Sequence, residues 1–145
     1  MKILLAVDGS PFTCKAVSYV IAHLDWFRGD PELHLLHVEL PIPAGLAVNQ
    51  ARRILGDDAI AGYYKGEAEA ALAPAEKILR TENISFHSHY EVGDVAQTIH
   101  SYALREKIDM IVMGAHGHGS LANVVLDSVA TKVLAATTIP VLIIR

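Results

Sequence analysis

The sequence predicts an α/β protein in which a five-stranded parallel sheet is covered by helices on both faces. Three observations support this prediction. Short apolar runs rich in β-branched residues recur along the chain, segments with helical spacing separate them, and turn-forming residues stand between the two. Alternation of this kind implies parallel strands joined by crossover helices. Ligands of such sheets bind beyond the carboxyl ends of the strands, where the strand order reverses, so the prediction also indicates where a site should lie.

The first third of the chain predicts two strands with a helix between them. Lys2–Val7 and Leu33–Val38 are apolar runs typical of buried strands. Ser10 is a favourable N-cap, and Pro11 suits the first helical position, so a helix should begin there. We expect it to continue to about Phe27.

The middle of the chain is the hardest part to interpret. Leu46–Gly66 mixes apolar and charged residues with three glycines, and we expect a partly helical, mobile excursion. Glu67–Thr81 predicts a firmer helix, which Pro74 should either kink or begin. Ile84–Val92 alternates in polarity, which indicates a strand near an edge of the sheet.

The last third predicts helix, strand, glycine-rich loop, helix and strand. Asp94 should cap a helix over Val95–Glu106, and Ile108–Met113 should form the next strand. A helical pattern with apolar residues four apart begins at Leu121. Val141–Ile144 is the final apolar strand.

The loop Gly114–Ser120 carries the clearest chemical signal. Glycines let the backbone approach a ligand, and a following helix offers free N–H groups and its positive dipole end, so the loop could bind phosphate or another anion. A tight turn without a ligand is an equal alternative. The spacing of Gly117, Gly119 and Ala122 matches a dinucleotide fingerprint in letters, but it follows the wrong strand and lacks the later acidic residue. No Gly-Lys-Ser/Thr phosphate loop occurs.

Composition limits the class of protein. The 145 residues suffice for one domain with a sizeable core, and apolar content of 52% with 19% charged residues is typical of a globular chain. A formal charge of −4 without a basic cluster argues against nucleic acid or anionic lipid as a partner. No apolar run approaches the ~20 residues that cross a bilayer, and the start does not resemble a signal peptide. The single Cys14 excludes an internal disulfide, and we expect a cytoplasmic protein.

The glycine loop and the segment after it resemble the universal stress protein family. Nucleotide-binding members carry Gly, two residues, Gly, nine residues, then Gly and Ser or Thr. Gly114, Gly117 and Ser128 match this pattern, whereas Asp127 stands at the third glycine. The resemblance extends to the N-terminus and implies one domain over residues 1–145, a Rossmann-like fold and the strand order 3-2-1-4-5.

The resemblance also implies an ATP pocket. Its expected lining is Ala6, Val7, Asp8, Val38, Met113, Gly114, His116, Gly117, Asp127, Ser128 and Val129. Asp8, which in nucleotide-binding relatives contacts the nucleotide, could instead serve only a turn before the first helix.

Asp127 puts ATP binding in question. A side chain at this position adds bulk, and its carboxylate would repel a triphosphate by about 1 to 4 kcal/mol at ~4 Å. His118 and Ala122 stand where many relatives have Arg and Lys, so two frequent cations are missing. Mg²⁺ between Asp127 and the phosphates could offset the repulsion, or Asp127 could point to solvent.

Other candidate chemistry is weak. His116 and His118 could bind a metal, but no third ligand is evident nearby, so we assign no metal site. We assign structural or surface roles to the remaining histidines, at positions 23, 34, 37, 87, 89 and 100. No spacing indicates a catalytic triad or a carboxylate pair, and we assign no catalytic residue.

Two functions follow as hypotheses. The first is a stress-response binding and regulatory module without turnover, which by resemblance would form a homodimer through Val141–Ile144. The second is a weak Mg²⁺-dependent ATP-hydrolysing enzyme, with Asp8 and Asp127 holding the metal. Metal-dependent turnover that disappears in Asp8→Ala would separate the second from the first.

Overall fold

The computed structural model describes residues 1–117 and 126–145. Strands and helices alternate through these residues, with one additional helix after the second strand. In chain order they are β1 (Lys2–Ala6), α1 (Pro11–Ala22), β2 (Glu32–Glu39), α2 (Leu46–Leu55), α3 (Asp57–Thr81), β3 (Phe86–Val92), α4 (Val95–Arg105), β4 (Met110–Gly114), α5 (Ser128–Ala136) and β5 (Val141–Ile144).

The five strands form one parallel sheet in the order β3-β2-β1-β4-β5, which confirms the predicted fold class. β1 lies at the centre, where Ile3 pairs with Leu33 of β2 on one side and with Met110 of β4 on the other. The chain first builds outwards from β1 to β3 and then restarts beside β1 with β4. The strand order therefore reverses between β1 and β4, and a crevice opens at their carboxyl ends.

Two apolar cores cover the two faces of the sheet. On one face α1 and α3 pack against β1 and β2, and the core includes Val17, Leu35 and Leu79. On the other face α4 and α5 pack against β4 and β2, and the core includes Tyr102 and Ile111. Alternate residues along each strand point to opposite faces, which explains why Leu35 and its neighbours divide between the two cores.

Two predicted helix starts are confirmed by their caps. Ser10 caps α1, accepting a hydrogen bond from Thr13 N, and Pro11 stands in the first turn. Asp94 caps α4 by accepting from Gln97 N at 3.0 Å. In each case a short polar side chain satisfies one of the N–H groups that a helix leaves without a partner.

The prediction that the first helix continues to Phe27 is wrong. α1 ends at Ala22, and a short 3-10 turn over Leu24–Trp26 follows. His23 stands at the break, where its Nδ1 lies 2.7 Å from Tyr19 O and its ring stacks on that of Tyr19. The side chain thus contacts a carbonyl near the helix end, and regular helical pairing stops.

The middle of the chain is more helical than predicted. α2 and α3 are separated only by Gly56, whose φ of +81° suits glycine. Pro74 lies inside α3, which is 25 residues long, so the proline does not mark the start of the helix. Leu72, Ala75 and Leu79 bury one side of this helix, and that packing outweighs one missing backbone hydrogen bond. Among the described residues no helix is long and apolar enough to span a membrane.

Several predicted boundaries shift. β3 begins at Phe86 rather than Ile84, and β4 covers Met110–Gly114 rather than Ile108–Met113. α5 begins at Ser128, and Leu126 and Asp127 are not helical, so a helix continuous from Leu121 is wrong at these two residues. The part of that prediction on residues 121–125, and the end of the glycine loop at 118–120, lie outside the described residues.

Candidate functional site

A cavity of about 870 Å³ lies at the carboxyl ends of β1, β2 and β4, beside the reversal of strand order. Its volume falls within the range typical of small-molecule sites. All eleven residues predicted for the pocket line it: Ala6, Val7, Asp8, Val38, Met113, Gly114, His116, Gly117, Asp127, Ser128 and Val129. The topology explains this, because the ends of neighbouring parallel strands meet at one edge of the sheet.

Asp8 ends the first strand and holds the turn into α1. Its Oδ1 accepts a hydrogen bond from Ser10 N at 2.9 Å and another from the Thr13 hydroxyl. This is the turn role that the sequence left open for Asp8, and it fixes the orientation of the carboxylate. The second oxygen, Oδ2, is directed towards the glycine loop. Asp8 therefore both stabilises the turn and lines the cavity.

Gly9 brings α3 close to this turn. Its φ is +78°, and a Cβ at this position would lie 3.1 Å from Ala71 Cα. A side chain would be both strained and crowded by helix backbone. α3 therefore forms a wall of the cavity, which also includes Glu67, Ala70 and Ala71. This wall lies outside the predicted lining, because the predicted helix begins only at Glu67, whereas α3 begins at Asp57.

Asp127 caps α5. Its Oδ1 accepts a hydrogen bond from Ala130 N at 2.8 Å, and its own N donates to Ala115 O at 2.9 Å. The carboxylate occupies the position at which a helix N-terminus attracts negative charge. Asp127 is half-buried, and it lines the cavity.

The carboxylates of Asp8 and Asp127 both approach Gly117. A Cβ at this residue would lie 2.6 Å from Asp8 Oδ2 and 3.2 Å from Asp127 Oδ2. Both oxygens thus approach one point beside the loop, and like charges brought together in this way repel each other. The absence of a side chain at Gly117 makes this approach possible.

His116 lies against the same loop. Its ring meets that of Phe12 edge-on with 5.1 Å between the ring centroids. Its Nδ1 is buried and has no hydrogen-bond partner within residues 1–117 and 126–145. A buried polar atom without a partner is uncommon in folded proteins. His118, the other half of the histidine pair considered as a metal site, lies outside the described residues.

His37 and Glu39 line the cavity and were not predicted. Both stand at the end of β2, one on each side of Val38. His37 Nε2 lies 3.0 Å from Glu39 Oε2, and His37 Nδ1 lies 2.8 Å from Val7 O. The signal that could have found them is their position, since polar residues at the carboxyl end of a central parallel strand face the crevice.

The lining is acidic. Four carboxylates face the cavity, and no lysine or arginine is among the lining residues that the structure describes. The stretch Gly114–Thr131 contains no lysine or arginine in the sequence either. The acidic residues are Asp8, Glu39, Glu67 and Asp127. A ligand with several negative charges would therefore meet repulsion here.

Comparison with known proteins establishes the family. The model of the universal stress protein family matches residues 1–145. This chain belongs to the universal stress protein family. Universal stress protein YxiE of Bacillus subtilis is 30% identical over 99% of this chain and 98% of its own length. Universal stress protein MJ0531 of Methanocaldococcus jannaschii is 28% identical over 99% of this chain and 81% of its own.

Solved structures of universal stress proteins share the fold. The universal stress protein UspA of Lactobacillus plantarum has a TM-score of 0.74 at 23% identity, covering 100% of this chain and 97% of that one. An Arabidopsis thaliana family member with AMP bound has a TM-score of 0.67 at 18% identity, covering 99% and 90%. A universal stress protein in complex with cAMP has a TM-score of 0.65 at 19% identity, covering 100% and 97%.

Proposed function

We propose that this universal stress protein binds an adenine nucleotide in the cavity beside β1 and β4 and acts as a stress-response regulatory module. The observation that carries the proposal is the convergence of the eleven predicted residues on one cavity at the reversal of strand order. The AMP and cAMP complexes of structurally similar family members support an adenine ligand.

The acidic lining sharpens the proposal. The carboxylates of Asp8 and Asp127 approach the glycine loop, where the phosphates of a nucleotide would lie. Without a cation, each added phosphate charge raises the repulsion, so we expect adenosine, cAMP and AMP to be favoured over free ATP. Asp127, which stands at the third glycine position of the motif, would thus change which nucleotide the pocket accepts.

A magnesium ion would reduce this discrimination. Mg²⁺ prefers carboxylate oxygens together with those of substrate phosphates. Asp8 Oδ2 and Asp127 Oδ2 approach one point beside Gly117, so these two residues fit the role of ligands. The ion would supply positive charge against the phosphates. We therefore expect ATP to bind more tightly with Mg²⁺ than without it.

Calorimetric titration of nucleotide-stripped protein tests the proposal. The ligands are adenosine, cAMP, AMP and ATP, each with and without Mg²⁺. The decisive variant is Asp127→Asn, because asparagine keeps the oxygen that caps α5 and removes only the charge. We expect Asp127→Asn to bind metal-free ATP about tenfold more tightly and adenosine unchanged.

Asp127→Gly is the matched control for bulk. If bulk alone weakens binding, Asp127→Gly gains affinity and Asp127→Asn does not, which would contradict the electrostatic explanation. Absence of binding by every ligand to all three proteins would refute the nucleotide site itself.

Weak ATP hydrolysis remains a second candidate. The observation in its favour is that Asp8 and Asp127 approach one point, as ligands of a divalent ion at a phosphate would. Asp8→Asn keeps the acceptor of the β1–α1 turn and removes a charge. Phosphate release that requires Mg²⁺ and disappears in Asp8→Asn would support hydrolysis, whereas binding without turnover excludes it.

The single cysteine supports a cytoplasmic location, which we include in the proposal. We also propose that the chain dimerises through β5. β5 is an outer strand, and Pro140 O and Ile144 O accept hydrogen bonds from the β4 side. Alternate peptide groups, including that of Ile143, therefore face away from β4. Sedimentation over a range of concentrations should give a dimer for the unchanged chain and a monomer for Ile143→Pro, and a monomer throughout for both would refute it.

A further inference from the structure

A second cluster of polar residues lies at the other end of β2, away from the cavity. Glu32 and His34 are two residues apart on β2, and His87 stands beside His34 on β3. Alternation along β2 and pairing between the strands place all three side chains on one face of the sheet. Within residues 1–117 and 126–145, this is the set whose ligand atoms lie within 4.8 Å of one another.

The three ligand atoms lie near the spacing that a metal ion requires. Glu32 Oε1 is 2.9 Å from His34 Nε2 and 3.6 Å from His87 Nε2. Ligand atoms around tetrahedral zinc are roughly 3.3 Å apart, as follows from metal–ligand distances near 2 Å. The side chains of Glu32 and His87 are 42% and 58% exposed, so both can rotate to complete the geometry and the site is accessible from solvent.

His34 is the fixed member of the cluster. It is buried, with 3% of its surface exposed, and its Nδ1 lies 2.9 Å from the hydroxyl of Tyr102. With Nε2 bound to a metal, Nδ1–H would donate to the phenol oxygen. Outer contacts of this kind orient histidine ligands in metal sites.

Lys2 lies beside the proposed ligand Glu32. Lys2 Nζ lies 3.2 Å from Glu32 Oε1, so the ammonium group occupies part of the space beside the carboxylate. A divalent ion would compete with this single positive charge. Removal of Lys2 should therefore strengthen metal binding.

We propose that Glu32, His34 and His87 form a binding site for a transition-metal ion such as Zn²⁺, with water in the remaining position. Two imidazoles and one carboxylate suit zinc better than Mg²⁺ or Ca²⁺, which prefer oxygen ligands. The site is separate from the nucleotide cavity, since none of its three residues lines that cavity. It is independent of the proposed nucleotide function.

Titration of the metal-free full chain with Zn²⁺ in a non-chelating buffer tests the site. We expect one tight equivalent of Zn²⁺ per chain and at least a tenfold loss of affinity in His87→Asn. His89→Asn is the matched control, because His89 lies on the same strand and is also exposed but is not in the cluster. Lys2→Met should bind Zn²⁺ more tightly than the unchanged chain.

Co²⁺ provides a second measurement that does not depend on affinity. Strong visible absorption by the Co²⁺-loaded chain, lost in His87→Asn and kept in His89→Asn, supports a tetrahedral site with a nitrogen ligand from His87. Equal Zn²⁺ affinity in the unchanged chain and in folded His87→Asn overturns the proposal. So does equal loss in His87→Asn and His89→Asn, or no Zn²⁺ binding at millimolar concentration.

Discussion

Strand β2 carries two histidine–carboxylate pairs, one near each end. At its start His34 Nε2 lies 2.9 Å from Glu32, and at its end His37 Nε2 lies 3.0 Å from Glu39. In both pairs the partners are two residues apart and share one face of the strand. Because 34 and 37 differ by an odd number, however, the two pairs lie on opposite faces of the sheet.

The pairs differ in what their surroundings add. The Nδ1 of His34 meets a side chain, Tyr102, whereas that of His37 meets a backbone carbonyl, Val7 O. A second histidine, His87, stands beside the first pair, and the second pair opens into an acidic cavity. The same local motif thus favours a metal at one end and a hydrogen-bonding organic ligand at the other. The chemistry at each end therefore depends on the strands and helices packed against β2 rather than on β2 itself.

The largest effect should come from removing the side-chain partner of His34. Tyr102→Phe leaves a buried imidazole nitrogen without its hydrogen bond, and we expect the free energy of unfolding to fall by about 1 to 3 kcal/mol. Denaturant unfolding measures the change. Tyr90→Phe, at a half-exposed tyrosine on β3, is the control and should stay within about 0.5 kcal/mol. Equal stability of Tyr102→Phe and the unchanged chain would show that the bond contributes nothing.

The two carboxylates allow a reciprocal test of the comparison. Glu32→Gln should weaken Zn²⁺ binding about tenfold or more and leave AMP binding unchanged. Glu39→Gln should do the reverse, leaving Zn²⁺ unchanged and raising the affinity for AMP by up to about tenfold, because one negative charge is removed from the cavity. Titration of both variants with both ligands measures this. If either variant alters both affinities, the two ends of β2 are not independent.

The smallest expected effect is on alkaline stability. Tyr102 keeps its proton in the folded state up to about pH 12, mainly because it is buried, whereas the unfolded chain releases it near the ordinary value of 10. The resulting stabilisation is present below about pH 10 and is lost as pH rises towards 12. Unfolding curves at about pH 9 and 11 should therefore show a steeper loss for the unchanged chain than for Tyr102→Phe. Parallel losses in the two proteins would contradict the assignment.

Much of the fold could be predicted from local pattern. Parallel strands of a covered sheet are apolar throughout, so Val141–Ile144 was recognised with its full bounds. Caps depend on one side chain and a nearby N–H, so Ser10 and Asp94 were also identifiable. The full length of α3 could not be predicted from the sequence. Gly62 and Gly66 weaken the helical signal, and contacts with distant strands maintain the helix.

The site was predictable where it follows strand ends and less so elsewhere. The resemblance implied Asp8, Val38 and Met113, and the topology accounts for them, since each stands at or beside the end of a central strand. Glu67 reaches the cavity from α3, and no local pattern connects it with β1. The cluster at His34 depends on the register between β2 and β3, which pairs His34 with His87. A one-residue shift in that register would place His87 on the opposite face.

Because Gly117 lacks a side chain, the substitutions that are tolerated at Gly117, Asp8 and Asp127 depend on one another. Because a Cβ there would clash with Asp8 and crowd Asp127, Gly117→Ala should be harmful in this chain and milder once one acidic side chain has been shortened. The order in which substitutions arise at these positions then determines which of them are tolerated. Engineering of the pocket would have to begin at one of the carboxylates rather than at the glycine.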